Sequence, residues 1–143
     1  MELAYSDGSD LPLAAVVRLY DAVGWSAYTE DPPRLAAALA GSTLLAVARD
    51  GNDLAGLARV ISDGHSICYL QDVLVDPQYQ RTGLGRSLVE LVLAPYAHVR
   101  QKVLLTDTEP GQKTFYESLG YRQAGGDADD GGLPLRAFVR FDA

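Results

Sequence analysis

The stretch VDPQYQRTGLGRSLVELVL, Val75 to Leu93, most restricts what this chain can fold into. Before it stands ICYLQDVLV, an apolar run of strand character. After it the apolar residues recur at helical spacing, with Leu84, Leu88, Leu91 and Val92 on one face. Between them, Gln80 to Gly85 bring two glycines, a threonine and an arginine to a strand-to-helix junction. A helix start leaves its first N–H groups without intrahelical partners and carries about half a positive charge. Gly83 and Gly85 permit positive φ and remove side chains that would block a close approach. Successive N–H groups from Arg81 to Arg86, with Thr82 and Leu84 among them, could therefore line a cradle for a pyrophosphate. Arg81 and Arg86 add cationic donors at its rim. The plainer reading is a structural glycine turn with exposed arginines.

The flanking segments set the architecture. A first helix is expected after Ser9 or Asp10 as N-cap, with Pro12 in its first turn and Leu13, Val16, Val17 and Tyr20 on its apolar face, ending at Gly24. A short helix follows Asp31, buries Leu35, Ala38 and Leu39, and stops at Gly41. GWSAYTE between them reads as a loop carrying Trp25 and Tyr28. TLLAVARD, DLAGLARVIS and SICYLQDVLV form an antiparallel meander with turns at Gly51-Asn52 and at DGHS. The helix after Gly85 ends near Pro95 and leads to the strand KVLLT. A strand, a helix and a strand make a crossover between parallel strands. Asp107 or Thr108 then caps a helix that carries Phe115, Tyr116 and Leu119 and stops at Gly120. YRQA and LRAFVRF form a last hairpin around the loop from Gly125 to Gly132, and a small strand is expected near Leu3. The chain thus reads as one α/β domain over residues 1–143 with a mixed sheet.

Charge and cysteine content exclude several functions. A net charge of −7 argues against nucleic acid, which requires clustered Lys and Arg. No run of about 18 apolar residues is present to span a membrane, and the first residues do not read as a secretion signal. The one cysteine, Cys68, allows no internal disulfide and fits a reducing cytoplasm. Basic residues that are nearly all Arg suggest a bacterial source. Two histidines far apart and one cysteine make no metal site. No serine or cysteine lies in a triad or elbow context.

DVLVDPQYQRTGLGRSLVELVL resembles motif A of the GNAT superfamily, the acetyl-coenzyme A-dependent N-acetyltransferases. Gln80, Gly83 and Gly85 match its signature, and FYESLGY resembles a second marker of the family at the right separation. The resemblance runs from about Leu11 to Tyr121. GWSAYTEDPPRL with EPGQKTFYESLGY further resembles the plastid-type arylalkylamine (serotonin) acetyltransferases. The resemblance implies a mixed, mostly antiparallel central sheet with two splayed parallel central strands and flanking helices. It also implies acetyl-CoA as co-substrate, its pantetheine arm pairing with the backbone of Val73, Leu74 and Val75; these also read simply as buried strand residues. Tyr116 would be the acid that protonates the departing thiolate. Many members carry Asn where this chain has Glu109, so the resemblance supplies no cofactor contact there.

Chemistry limits what the remaining residues must do. Phenol and thiol differ in pKa by about 1.5, so proton transfer from Tyr116 to the thiolate is uphill by about 2 kcal/mol in water. An alkylamine of pKa ~10.4 is neutral in only about one molecule in 2500 at pH 7. Asp72 is the candidate base or substrate anchor; otherwise it caps a loop or pairs with an Arg such as Arg59. Asp107 and Glu109 are second candidates. His65 reads as solvated and His98 as a helix-dipole partner. Trp25, Tyr28, Gln71, Asp72 and the loop near Asp127 to Asp130 would line a pocket for an amine with an apolar body; the alternative is that Trp25 and Tyr28 anchor the core. The expected protein is an acetyltransferase acting on a small amine, with a homodimer as a possible assembly. The rivals are a non-catalytic acyl-CoA-binding module and a protein N-terminal acetyltransferase.

Overall fold

Pro12 opens the first helix and Asp31 the third, and the difference between them shows what local signals control. In the computed structural model, which describes residues 1–126 and 134–142, β1 is Glu2–Ser6 and α1 is Leu13–Ala22. No side chain caps α1. Asp10 instead accepts from the Ser6 hydroxyl, and Ser9 donates twice to Asp7 Oδ1, at 2.9 and 2.6 Å. These short polar side chains prefer a local turn to a cap. Leu13 is left exposed, and Val16, Leu19 and Tyr20 form the buried face. GWSAYTE is not a plain loop: Ser26–Thr29 makes one helical turn, α2. In α3, Pro32–Ala40, Asp31 accepts from Arg34 N at 3.2 Å as expected.

The strands β2 (Leu44–Asp50), β3 (Asp53–Ser62) and β4 (Ile67–Val75) form the meander. α4 is Leu84–Leu93, β5 Gln101–Asp107 and α5 Pro110–Ser118. Neither Asp107 nor Thr108 caps α5; Glu109 holds that position, and Asp107 Oδ1 accepts from Glu109 N one turn earlier. Gly120 has φ 88°, the left-handed stop that its position required. β6 (Arg122–Ala124) and β7 (Leu135–Phe141) pair antiparallel. The sheet order is β1-β2-β3-β4-β5-β7-β6, mixed and mostly antiparallel. Its parallel ladder joins β4 to β5 from Ile67↔Gln101 to Leu70↔Leu104, after which β4 runs on to Val75 and β5 to Asp107.

The residues divide into two compact units, Met1–Ile61 with Asp72–Pro95 and Ser62–Gln71 with Tyr96–Ala143. In the first, Leu45, Val47, Leu57 and Leu74 pack with Val16, Leu19, Tyr20, Leu35 and Leu39. Strand alternation sends Ala46, Ala48, Gly56 and Ala58 to the opposite face. These small residues admit α4 closely. A Cβ at Gly56 would lie 2.8 Å from Leu88 Cδ1 and 3.0 Å from the Leu74 carbonyl oxygen. Gly56→Ala should therefore destabilise the fold by about 1–3 kcal/mol, the cost of overpacking. Urea unfolding against the parent would check it.

In the second unit, Cys68, Leu104, Tyr116, Tyr121 and Phe138 are buried together with Lys102. Burial pushes the Cys68 thiol up to about 11. Lys102 Nζ donates to the Val99 carbonyl at 2.6 Å and to Asp142, which Arg140 also holds. Burial raises the Asp142 carboxyl, but these two cations outweigh it and leave its pKa below the ordinary value. Asp142→Ala should cost about 3 kcal/mol at neutral pH, the lower end for stranding a buried charge. The stabilisation is present above the unfolded-state value near ~3.9 and is lost as pH falls through the lower folded value. Parent and variant melting points, taken across pH, should therefore converge below about pH 4.

Candidate active site

The turn that leads into α4 is built from local hydrogen bonds. Asp76, buried, accepts from Gln78 N at 2.9 Å and caps the 3-10 turn Pro77–Tyr79. Its backbone N donates to Ala55 O at 2.9 Å, and Arg18 lies 3.5 Å from its carboxylate. Tyr79 donates to Asp50 at 2.5 Å and Thr82 to the Tyr79 carbonyl at 2.5 Å. Gln80 Nε2 reaches back to the Val75 carbonyl at 3.1 Å, tying the turn to the end of β4. Thus Gln80, one of the matched positions, and Thr82 beside it hold the backbone shape.

Two residues in the turn take the left-handed region, Arg81 at φ 65° and Gly83 at φ 83°. Gly83 has open space where a Cβ would stand, so conformation and not room requires glycine there. Gly85 does not take the positive φ expected of it; it is the second residue of α4. Arg81, a residue with a Cβ, takes the left-handed place instead, at about 1–2 kcal/mol of strain. The first intrahelical bond runs from Ser87 N to Gly83 O at 3.1 Å. Helix geometry therefore gives the N–H groups of Leu84 and Gly85 no partner within the helix. The Leu84 side chain is buried beneath them. Arg81 is exposed, whereas Arg86 is drawn along the helix to Glu90 at 3.1 Å.

β4 alternates strictly. Cys68, Leu70, Asp72 and Leu74 are buried, while Tyr69, Gln71, Val73 and Val75 are half-buried. Of the three expected apolar core positions, only Leu74 is fully covered. Gln71 and Asp72, expected in one pocket wall, leave the strand on opposite faces. The loop residues Asp127 to Asp130 lie outside the described residues.

Asp72, 2% exposed, is the hub of a buried network. Its Oδ2 accepts from Arg59 Nε at 2.6 Å and from the Tyr20 hydroxyl at 2.9 Å; its Oδ1 accepts from the Tyr28 hydroxyl at 3.3 Å. Arg59 Nη1 continues to Ser42 at 3.1 Å. Burial, then the Asp72 charge, pushes the Tyr20 phenol far above its ordinary value. Burial disfavours the Arg59 charge, but Asp72 more than restores it. The pairing with Arg59 considered from the sequence is therefore present. Trp25 and Tyr28 pack against the core, with ring centroids 6.0 and 5.3 Å from Tyr20 and 5.9 Å from each other.

In the second unit Tyr116 is the buried residue of α5, its ring 5.0 Å from Phe115, 5.9 Å from Phe138 and 6.1 Å from Tyr121. Asp107 and Glu109 are exposed, as is His65. His98 Nε2 lies 2.7 Å from the Gly64 carbonyl in the β3–β4 turn, a contact the sequence reading did not foresee. The sequence reading missed Lys102 and Gly56. An isolated glycine in the strand DLAGLARVIS was the available signal for Gly56; nothing near Lys102 announced its burial.

Residues 16–138 match the acetyltransferase (GNAT) domain model. The chain belongs to the GNAT family. A Glycine max protein named histone acetyltransferase TAP1 is 32% identical over 84% of this chain and 56% of its own length. The chain spans about half the length of that relative and of an Arabidopsis thaliana chloroplastic GCN5-related N-acetyltransferase. Among solved structures, a GNAT family acetyltransferase from Streptococcus pneumoniae superposes with a TM-score of 0.75 at 31% identity, covering 89% of this chain and 95% of that one. An N-acetyltransferase from Thermoplasma acidophilum, solved with coenzyme A, shares the GNAT fold at 14% identity and a TM-score of 0.72, covering 99% of both chains.

Proposed function

We propose that this chain transfers the acetyl group of acetyl-CoA to a small primary amine by direct attack in a ternary complex. The observation that carries the reading is the turn from Gln80 to Gly85. Two left-handed residues there deliver a helix N-terminus to the end of β4, in the segment that matches the family's cofactor motif. The N–H groups of Gly83, Leu84 and Gly85 would bind the pyrophosphate, with Arg81 at its edge. The backbone of Val73 to Val75 would pair with the pantetheine arm. The coenzyme A complex of the T. acidophilum relative supports this use of the fold.

In the reaction the ammonium first gives a proton to solvent, the neutral nitrogen bonds to the thioester carbon, the C–S bond breaks as Tyr116 gives its proton to the leaving thiolate, and the proton then shed by the nitrogen restores Tyr116. Asp72 serves the acceptor as an anion beside its ammonium group rather than as the proton acceptor, because Oδ2 already holds Arg59 and Tyr20. Aromatic rings next to a carboxylate suit a cation with an apolar body. The test is release of coenzyme A thiol from acetyl-CoA across arylalkylamines, amino acids, aminoglycosides and peptide N-termini. Turnover with arylalkylamines above the other groups supports the reading. Turnover confined to peptides replaces the acceptor class, and cofactor binding without any turnover replaces catalysis with a sensing role.

A further inference from the structure

The turn assigned to the pyrophosphate has little packing of its own. Between Asp76 and Leu84, both buried, every residue from Pro77 to Gly83 is exposed except Tyr79, which is half-buried. Arg81 and Gly83 stand in the left-handed region, and Arg81 carries a Cβ there. Such a conformation persists only where its surroundings over-determine it. The bonds from Gln80 Nε2 to the Val75 carbonyl and from Thr82 to the Tyr79 carbonyl stay within the segment. The Tyr79 hydroxyl reaches out of it and donates to Asp50 Oδ2 at 2.5 Å, across 29 residues of chain. Asp50 ends β2 and faces Asp53 across the hairpin, so its backbone is fixed by the β2–β3 ladder. The Asp50 bond, followed by burial and the charges of Asp50, Asp53 and Asp76, raises the Tyr79 phenol above its ordinary value. It therefore remains a donor at neutral pH.

We infer that Tyr79 is a positioning residue for the cofactor: by tying the turn to the β2–β3 hairpin, it holds the left-handed backbone from Arg81 to Gly83 in its binding shape before coenzyme A arrives. This rests on the assignment of the pyrophosphate to the turn. The N–H groups of Gly83, Leu84 and Gly85 converge on one anion only while the turn keeps that shape. When the competent conformation is partly populated, the apparent Kd is the intrinsic Kd divided by that fraction. Released from Asp50, the turn can relax the strain at Arg81, and the competent fraction falls. Bound coenzyme A restores the shape, so the loss falls on affinity and not on the chemical step. By charge alone Asp50 would weaken phosphate binding, so the anchor and the charge predict opposite effects of its removal.

Isothermal titration of coenzyme A into the full chain tests this. Tyr79→Phe keeps the ring and the charge of Asp50 and removes the bond between them, so Kd should rise by about 3- to 10-fold, the net scale of one hydrogen bond. Asp50→Ala should raise Kd as well. The double variant should lose no more than the larger single loss, because both changes remove the same bond. With an amine that the parent turns over, KM for acetyl-CoA should rise in Tyr79→Phe while kcat at saturation holds. Hydrogen exchange in the free variant should quicken at the amides from Arg81 to Gly85 and return to the parent's rate with coenzyme A bound. A side chain that merely supports the fold would lower the melting temperature and leave Kd and that local exchange where they were. An unchanged Kd in Tyr79→Phe, tighter binding in Asp50→Ala, or losses that add in the double variant overturns the anchor and leaves the phosphate cradle standing. A parent that fails to bind coenzyme A overturns both.

Discussion

Gly85→Glu is expected to abolish the rise in melting temperature that acetyl-CoA gives the parent, while leaving the unliganded protein at least as stable. The two halves of this result come from the same position. Gly85 is the second residue of α4, with a helical backbone, so a side chain there meets no left-handed strain. An acidic residue in a first turn favours the helix by about 0.3–1 kcal/mol. The same carboxylate would stand among the N–H groups assigned to the pyrophosphate. Like charges about 4 Å apart at an effective dielectric of ~20 repel by about 4 kcal/mol, roughly a thousandfold in affinity. A ligand that binds only the folded state stabilises it by RT ln(1 + L/Kd) at free concentration L, so once the rise in Kd carries it above L the shift should vanish. Isothermal titration with coenzyme A would measure it directly. Equal affinity in parent and variant would remove the phosphate cradle from this turn.

Tyr116→Phe should lower kcat by about 10²-fold or more, the usual scale for an acid–base group, with cofactor affinity nearly unchanged. Its ring lies among Phe115, Tyr121 and Phe138, and phenylalanine preserves those contacts. In the proposed role the loss would fall on the hydroxyl, whose bond to the leaving sulfur would strengthen as the thiolate forms. Steady-state kinetics with a saturating amine would check this, and a kcat equal to the parent's would return Tyr116 to packing alone.

What the sequence by itself determined lies within a few residues of each signal. The hairpin at Gly51-Asn52, the Asp31 cap and the left-handed stop at Gly120 follow from short-range sterics and from spacing. The order of elements was legible too, because short connections leave few topologies. The turn from Gln80 to Gly85 was legible as a strand-to-helix junction, but which residues took its left-handed places was not. Gly85 entered the helix and Arg81 took the strained conformation, since the bonds from Gln80 to Val75 and from Thr82 to Tyr79 shape the turn.

The tertiary structure alone decided the fate of the charged groups. Tyr20 and Asp72 are 52 residues apart in the chain, and Lys102 and Asp142 are 40 apart. A charge in an apolar strand announces only that burial is costly without a partner. Which partner offsets that cost depends on which strands and helices come together, and no local pattern encodes it. Asp72 could thus be singled out from its neighbours on β4. Its bonds to Arg59, Tyr20 and Tyr28 exist only once α1, α2, β3 and β4 have packed.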